Sequence, residues 1–108
     1  MEQKYLGKIS SAQYGLVSDY PFLMGLQLGF SMQSSGIEEG GIYTVNMSKE
    51  CEWENDVREV VIARKQDAVY KLLNEAKVNY VSELLNKPVE VVVHNGIFKS
   101  FRILTEVL

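Results

Sequence analysis

Apolar and polar residues alternate along the first third of the chain with the two-residue period of half-buried strands. The alternation is loose from Tyr5 to Leu16 and clean from Phe22 to Met32, where six apolar side chains fall on one face. A third strand, rich in β-branched and aromatic residues, is predicted from Ile42 to Met47. The acidic segment from Ser34 to Gly41 contains three glycines and is interpreted as a hairpin loop or a ligand flap.

The apolar period changes to that of a helix between Glu54 and Ala76. Acidic residues cluster at its start, where they suit the positive end of the helix dipole, and Ser48 or Asn55 could cap it. A shorter helix is predicted from Val81 to Leu85, ending before Pro88. The expected buried stripe of the long helix is Val57, Val61, Ala68, Leu72 and Ala76, flanked by Ile62, Val69 and Leu73.

Asn95-Gly96 separates two further strand patterns, Val89 to His94 and Ile97 to Thr105. This dipeptide is typical of a two-residue type I′ hairpin turn. The element order favours an α+β fold, in which helices pack on one face of an antiparallel sheet. We therefore expect a single domain over residues 1–108, with about five strands and one long and one short helix before a C-terminal β-hairpin.

Composition narrows the classes of partner. The net charge of −3 over 108 residues provides no basic field for DNA or for an acidic membrane surface. The sequence shows no signal-peptide profile and no apolar run long enough to cross a bilayer, so a cytosolic location is expected. The single cysteine, Cys51, cannot pair within the chain, which favours a reducing compartment.

Catalytic and metal-binding patterns are missing from the sequence. His94 is the only histidine and Cys51 the only cysteine, and no metal-ligand spacing connects them. No phosphate-binding glycine loop and no nucleophile elbow occurs. We therefore predict a protein that is not an enzyme and that uses no cofactor or metal.

The last hairpin carries the most suggestive side chains. Simple alternation places Phe98 and Arg102 on one strand face, where a ring and a guanidinium could sandwich a base and contact a phosphate. The alternative is structural: Phe101 and Ile103 fill the core while Phe98 and Arg102 cover the sheet. Other aromatic and basic candidates, each also explicable as an anchor, turn or surface residue, are Tyr20, Trp53, Arg58 and Lys87.

Four segments carry a resemblance: residues 19–26 (DYPFLMGL), 74–84 (NEAKVNYVSEL), 87–91 (KPVEV) and 101–107 (FRILTEV). Together they resemble the first-described family of phage Thoeris anti-defence proteins. The resemblance covers nearly the whole chain and is firmest from Cys51 onward.

This resemblance implies sequestration without cleavage of a cyclic ADP-ribose isomer, an immune signal, in the cytoplasm of the bacterial host. It implies assembly into homodimers or hexamers, and a second site that binds cyclic oligonucleotides. The residues that match the family's ligand contacts are Phe98 or Phe101 for stacking, Arg102 for stacking and pyrophosphate, and Asn95 and Thr105 for polar contacts. Ile103 and Tyr20 complete the candidate set, and Arg58 and Lys87 are the basic candidates for the second site.

A different class of function remains open. A small acidic phage protein could instead bind and inhibit a bacterial defence enzyme, in the manner of an anti-CRISPR protein. The partner discriminates between the two hypotheses, because a sponge binds a small cyclic nucleotide and an inhibitor binds a macromolecule.

Overall fold

The computed structural model describes residues 1–33, 35–38, 41–48 and 55–108. Expectations that concern Cys51, Trp53 or the acidic helix start lie outside these residues. Two 3₁₀ turns span Val81–Leu84 and Thr105–Val107. The regular elements are β1 (Glu2–Leu16), β2 (Leu23–Met32), β3 (Ser35–Glu38), β4 (Thr44–Asn46), α1 (Asn55–Ala76), β5 (Pro88–His94) and β6 (Ile97–Ile103).

The strands form one antiparallel sheet in the order β3-β2-β1-β5-β6, with β4 also paired to β2. This confirms the predicted α+β fold. The long strand β1 is central, since its first half pairs with β5 and its second half with β2. Asn95 and Gly96 both have positive φ at the predicted hairpin turn, as a type I′ turn requires.

One local prediction is wrong. Residues Ser35–Glu38 form a strand rather than a loop, because Ile37 pairs with Phe30 and packs against the core. Backbone pairing and burial of one apolar side chain outweigh the turn signal of the glycines. The predicted short helix is present as a single 3₁₀ turn over Val81–Leu84, as is common for four-residue connectors.

One face of the sheet carries the hydrophobic core. Phe30, Leu26 and Ile9 are almost fully buried there, and the second half of α1 covers them with Val69, Leu72 and Ala76. The predicted helix stripe is therefore confirmed over these turns. It fails at the start of the helix, where Val57 is 46% exposed. No helix in the described ranges is both long and apolar enough to cross a membrane.

The opposite side of the sheet, here called the outer face, lies away from this core. Neighbouring residues on a strand point to opposite faces, so Gln27 lies on the outer face between buried Leu26 and Leu28. By the same alternation Ser11 lies on the outer face beside core-packed Ala12, and Glu38 beside Ile37. Over β2 and the second half of β1, the outer face carries mostly glycine and polar side chains, with Leu23 among them.

Candidate functional site

The β5–β6 hairpin packs its aromatic rings into the core. The register shifts between Val92 and Val93, where Phe98 and Ser100 are the partners, so Lys99 is the extra residue of a β-bulge. The bulge turns Phe98 to the same side as Phe101. Both rings contact Phe30, with centroid separations of 5.6 and 4.8 Å.

The predicted shared face of Phe98 and Arg102 is therefore wrong. Strict alternation holds only for an unbroken strand. The extra residue of the bulge exchanges the two faces, so residues before Lys99 point to the opposite side from the one that alternation predicts relative to residues after it. Phe101 and Ile103 fill the core, as the structural alternative expected, and Phe98 joins them. Arg102 lies between Phe101 and Ile103 in sequence and so points to the outer face.

Arg102 is held by two carboxylates. Its Nε donates to Glu90 on the paired strand at 3.3 Å, and its Nη1 donates to Glu106 at 3.2 Å. The hydrogen bond to Glu90 and the charge of Glu106 raise the pKa of the guanidinium above its ordinary value. A phosphate that bound here would have to compete with these two anions.

The remaining predicted ligand residues lie in separate places. Asn95 accepts a hydrogen bond from the amino group of Met1 at 3.1 Å, and Thr105 begins the last 3₁₀ turn. Arg58, on α1, donates to the carbonyl of Met47 at 3.4 Å. The segment before β5 contains Lys87, whose backbone pairs with β1.

A different region of the molecule forms an open cavity, which we call the outer-face cleft. It has a volume of about 490 Å³ and lies over the second half of β1 and over β2. Of the predicted site residues, Tyr20 alone lines it. Its lining residues are Ser11, Gln13, Val17, Asp19, Tyr20, Leu23, Gln27, Leu28, Glu38, Gly41 and Thr44.

Strand pairing places the polar groups of the cleft in rows across the sheet. Gly29 pairs with Ser11 on one side and with Glu38 on the other. Because Gly29 has no side chain, the hydroxyl and the carboxylate face each other across a gap. The next outer-face row is the amide pair Gln13 and Gln27, so hydroxyl, carboxylate and amide groups are concentrated on one floor.

A second bulge concentrates hydroxyl groups at this row. The β1–β2 register shifts between Ile9 and Ser11, which makes Ser10 the extra residue. A Cβ placed on Gly29 would lie 2.5 Å from the Ser11 hydroxyl oxygen and 3.3 Å from that of Ser10. The glycine thus leaves the space into which two consecutive serines direct their hydroxyls.

One end of the cleft is closed by the turn between β1 and β2. The backbone N–H of Val17 donates to Leu23, and the N–H of Leu23 donates back to Tyr20. These bonds fix the turn that presents Asp19 and Tyr20 at the rim. The Tyr20 ring also packs edge-on against Phe22, with centroids 6.1 Å apart.

The side of the cleft that is lined by Gly41 and Thr44 is anchored to α1. The Lys65 ammonium donates to the carbonyl oxygens of Gly41 and Ile42, at 3.1 and 2.6 Å. Gly25 has a φ of +151° and no side chain, so the carbonyl oxygen of Tyr43 can approach its backbone closely. Any Cβ at this position would lie 2.0 Å from that oxygen. The segment that includes Gly41 and Thr44 is thereby fixed beside β2.

The electrostatic character of the cleft is acidic. Asp19 and Glu38 line it, and the described lining contains no lysine or arginine. Neither carboxylate, nor the Ser11 hydroxyl or the Gln13 amide, makes a hydrogen bond or ion pair with the described residues. Carboxylates and amides beside an aromatic ring are suited to bind a neutral, hydroxyl-rich group such as a sugar, with a planar ring stacked on Tyr20.

Sequence reasoning missed most of this cleft because its signal is spread over four elements. No local motif joins Ser11, Gln27 and Glu38, which are brought together by the strand register. The alternating glycines and polar residues on the non-core face of β2 were the one available signal. No group of three or more His, Cys, Asp or Glu side chains among the described residues could hold a metal ion.

Comparison with known proteins identifies no relative. No protein-family model, no curated protein and no solved structure matches this chain.

Proposed function

We propose that this protein binds a cyclic ADP-ribose isomer in the outer-face cleft and holds it without cleaving it. In this proposal the protein removes an immune signal of the infected bacterial host. The observation that carries it is the cleft itself, which combines nucleotide-scale volume, a rim tyrosine and a polar floor. On this floor the Gln27 amide donates to the Gly15 carbonyl at 3.3 Å, whereas Ser11, Gln13 and Glu38 make no side-chain hydrogen bond with the described residues.

The size of the cleft supports a ligand of this class. Its volume of about 490 Å³ lies within the range of roughly 300–1,000 Å³ usual for small-molecule sites. Strand geometry places the lining residues Leu23 and Gln27 about 13 Å apart along β2, which gives the cleft floor a length suited to two linked sugars and a base.

The charges of the cleft orient the ligand. Asp19 and Glu38 disfavour the pyrophosphate, so the base and riboses face the floor and the phosphates face solvent. Added salt screens the repulsion between these carboxylates and the phosphates. Affinity should therefore stay constant or rise between low and physiological ionic strength, whereas a site built on Arg102 would lose affinity.

Holding a signal differs physically from processing it. A sponge acts stoichiometrically, so it needs high affinity and slow release, and a preorganised floor lowers the ordering cost of binding. A second copy of the chain could enclose the open side of the cleft. Homodimers or hexamers, and a cyclic oligonucleotide site near Arg58 and Lys87, remain predictions from the family resemblance.

Thermal melting with ligand recovery tests the proposal. The protein is melted alone, with each cyclic ADP-ribose isomer and with a panel of cyclic oligonucleotides, and the ligand is then recovered for mass spectrometry. A ligand at about 100 times its Kd should stabilise the native state by roughly 2.7 kcal/mol.

The outcome separates three functions. A clear upward shift with the isomer recovered intact supports a sponge. A shift with a cleaved product would indicate an enzyme. No shift with any nucleotide would overturn the proposal and leave an acidic inhibitor of a defence protein as the candidate.

A further inference from the structure

The row formed by Ser11, Gly29 and Glu38 has the geometry of a sugar site. Neighbouring strands lie about 4.8 Å apart, so the Cα atoms of Ser11 and Glu38 are separated by about 10 Å across the glycine. That gap accommodates a five-membered ring with polar side chains at both ends. A shallower depression of about 300 Å³ shares Ser11 and Glu38 with the cleft and continues it along this row over Ser10 and Gly29.

We infer that Glu38 binds the vicinal diol of a ribose, and that this carboxylate determines which nucleotides the outer-face cleft accepts. The inference rests on the proposed function and assigns the part of the ligand that the cleft recognises. Ser11 is the opposing positioning group, with a hydroxyl that can both donate and accept.

The chemistry of a carboxylate fits a diol better than it fits the other parts of a nucleotide. An ionised carboxylate only accepts hydrogen bonds, and its two oxygens match the two hydroxyl donors of a vicinal diol. Dinucleotide-binding sites use an acidic residue on ribose hydroxyls in the same way. Glu38 makes no hydrogen bond or ion pair with the described residues, so none of these residues occupies its carboxylate oxygens.

Two consequences for specificity follow. A ribose that lacks one hydroxyl leaves a carboxylate oxygen without its donor, so a deoxyribose ligand binds more weakly. A phosphate on the 2′-oxygen places a second anion beside Glu38, which weakens binding further. A site that recognised only the base or the pyrophosphate would show neither preference.

Calorimetry with matched ligands tests the inference. The probes are cyclic ADP-ribose, its analogue that lacks the 2′-hydroxyl on both riboses, adenosine, 2′-deoxyadenosine and adenosine 2′-phosphate. Wild-type protein should bind each ribose ligand at least tenfold more tightly than its deoxy counterpart. Glu38→Gln should weaken the ribose ligands by a similar factor, leave the deoxy ligands nearly unchanged and so remove the preference.

The matched control is Glu75→Gln, which removes an exposed carboxylate on α1 that lies outside the cleft lining. It should leave every affinity unchanged. Circular dichroism on both variants checks that the fold is intact, as expected for exposed side chains that have no hydrogen bond or ion pair with the described residues.

The results distinguish the inference from the proposed function. Equal binding of the ribose and deoxy ligands, insensitive to Glu38→Gln, overturns the inference and leaves the proposed function standing. A diol preference for adenosine without binding of cyclic ADP-ribose supports the inference and overturns the proposed function. No binding by any probe overturns both.

Discussion

The C-terminal hairpin and the outer-face cleft both present polar and aromatic side chains, but they differ in what those side chains contact. In the hairpin, Phe98 and Phe101 pack on Phe30, and Arg102 bonds to two glutamates. In the cleft, Ser11 and Glu38 face each other across a glycine without bonding to the described residues. A side chain that already has protein partners must lose them before it can bind a ligand.

The comparison shows that a residue type typical of nucleotide-binding sites need not be free to bind a ligand. Arginine and phenylalanine are the residue types most often associated with nucleotide stacking and phosphate contact. Here their groups are used for packing and ion pairing. Serine, glutamine and glutamate are less distinctive in a sequence, but in this fold they are the groups left exposed over a cavity.

The largest effect expected is on stability, from the hairpin core. Phe101→Ala removes a ring that contacts both Phe30 and Tyr43, and should lower the free energy of unfolding by about 3 kcal/mol. Urea denaturation measures it. Ile97→Ala, at a side chain that is 72% exposed, is the control and should change stability by less than about 0.5 kcal/mol. An unchanged midpoint for Phe101→Ala would mean that the ring is available for a ligand.

The next effect is on ligand binding, from the cleft floor. Gly29→Ala adds a methyl group inside the sugar gap, 2.5 Å from the Ser11 hydroxyl oxygen, which must rotate away from its position over the glycine. Affinity for the cyclic ADP-ribose isomer should fall at least tenfold, while the melting temperature changes little because the displaced atom is a side-chain hydroxyl. Calorimetry and melting measure the two quantities.

The matched control for this variant is Ser100→Thr, which also adds one methyl group to a strand. Ser100 is exposed on β6 and lies outside the cleft lining. Binding should therefore match wild type. Equal affinities for all three proteins would place the ligand elsewhere.

A smaller effect is expected at the hairpin arginine. Arg102→Ala removes an exposed cation that is already paired with Glu90 and Glu106. Exposed ion pairs contribute little to stability, so the melting temperature should change only slightly. Because Arg102 does not line the outer-face cleft, ligand affinity should change less than twofold. Loss of binding with an intact fold would return the ligand site to the hairpin, as the family resemblance implies.

The smallest effect is a pH dependence at the start of β1. Lys99 donates a hydrogen bond to Glu2, and this bond together with the lysine charge lowers the pKa of the carboxyl. A lowered folded-state pKa gives stability that is present above the unfolded-state pKa and is lost as pH falls through the folded-state value. Lys99→Met should return the pKa of Glu2 toward its ordinary value and reduce this acid dependence.

Titration of the Glu2 side-chain carboxyl by NMR measures the shift directly. The same titration in Lys71→Met serves as the control, since Lys71 pairs with Asp67 on the helix. A Glu2 pKa that is identical in wild type and Lys99→Met would show that the ion pair does not persist in solution.

Much of the fold follows from periodicity. Alternation marked β1 and β2, the Asn95-Gly96 turn marked the final hairpin, and the helical period marked the buried positions Leu72 and Ala76. Two features were inaccessible to the same reasoning. The bulge at Lys99 depends on how β6 pairs with β5, and strand β3 depends on burial of Ile37 against a distant part of the chain.

The site was less predictable than the fold for a related reason. Tyr20 is a candidate from the sequence alone because it belongs to an aromatic cluster at a predicted turn. Glu38 lies in a segment that the sequence predicts as a loop, and Ser11 lies in a loosely alternating strand. Their juxtaposition depends on both being paired to Gly29, which is a property of the register rather than of either segment.

The most direct test of the central claim is a map of backbone amide shifts on titration with a cyclic ADP-ribose isomer. We predict that the largest changes lie at Ser11, Gln27 and Glu38 and around the Tyr20 turn, with little change from His94 to Ile103. Changes centred on the hairpin from His94 to Ile103, with an unperturbed cleft, would contradict the assignment of the outer-face cleft as the binding site.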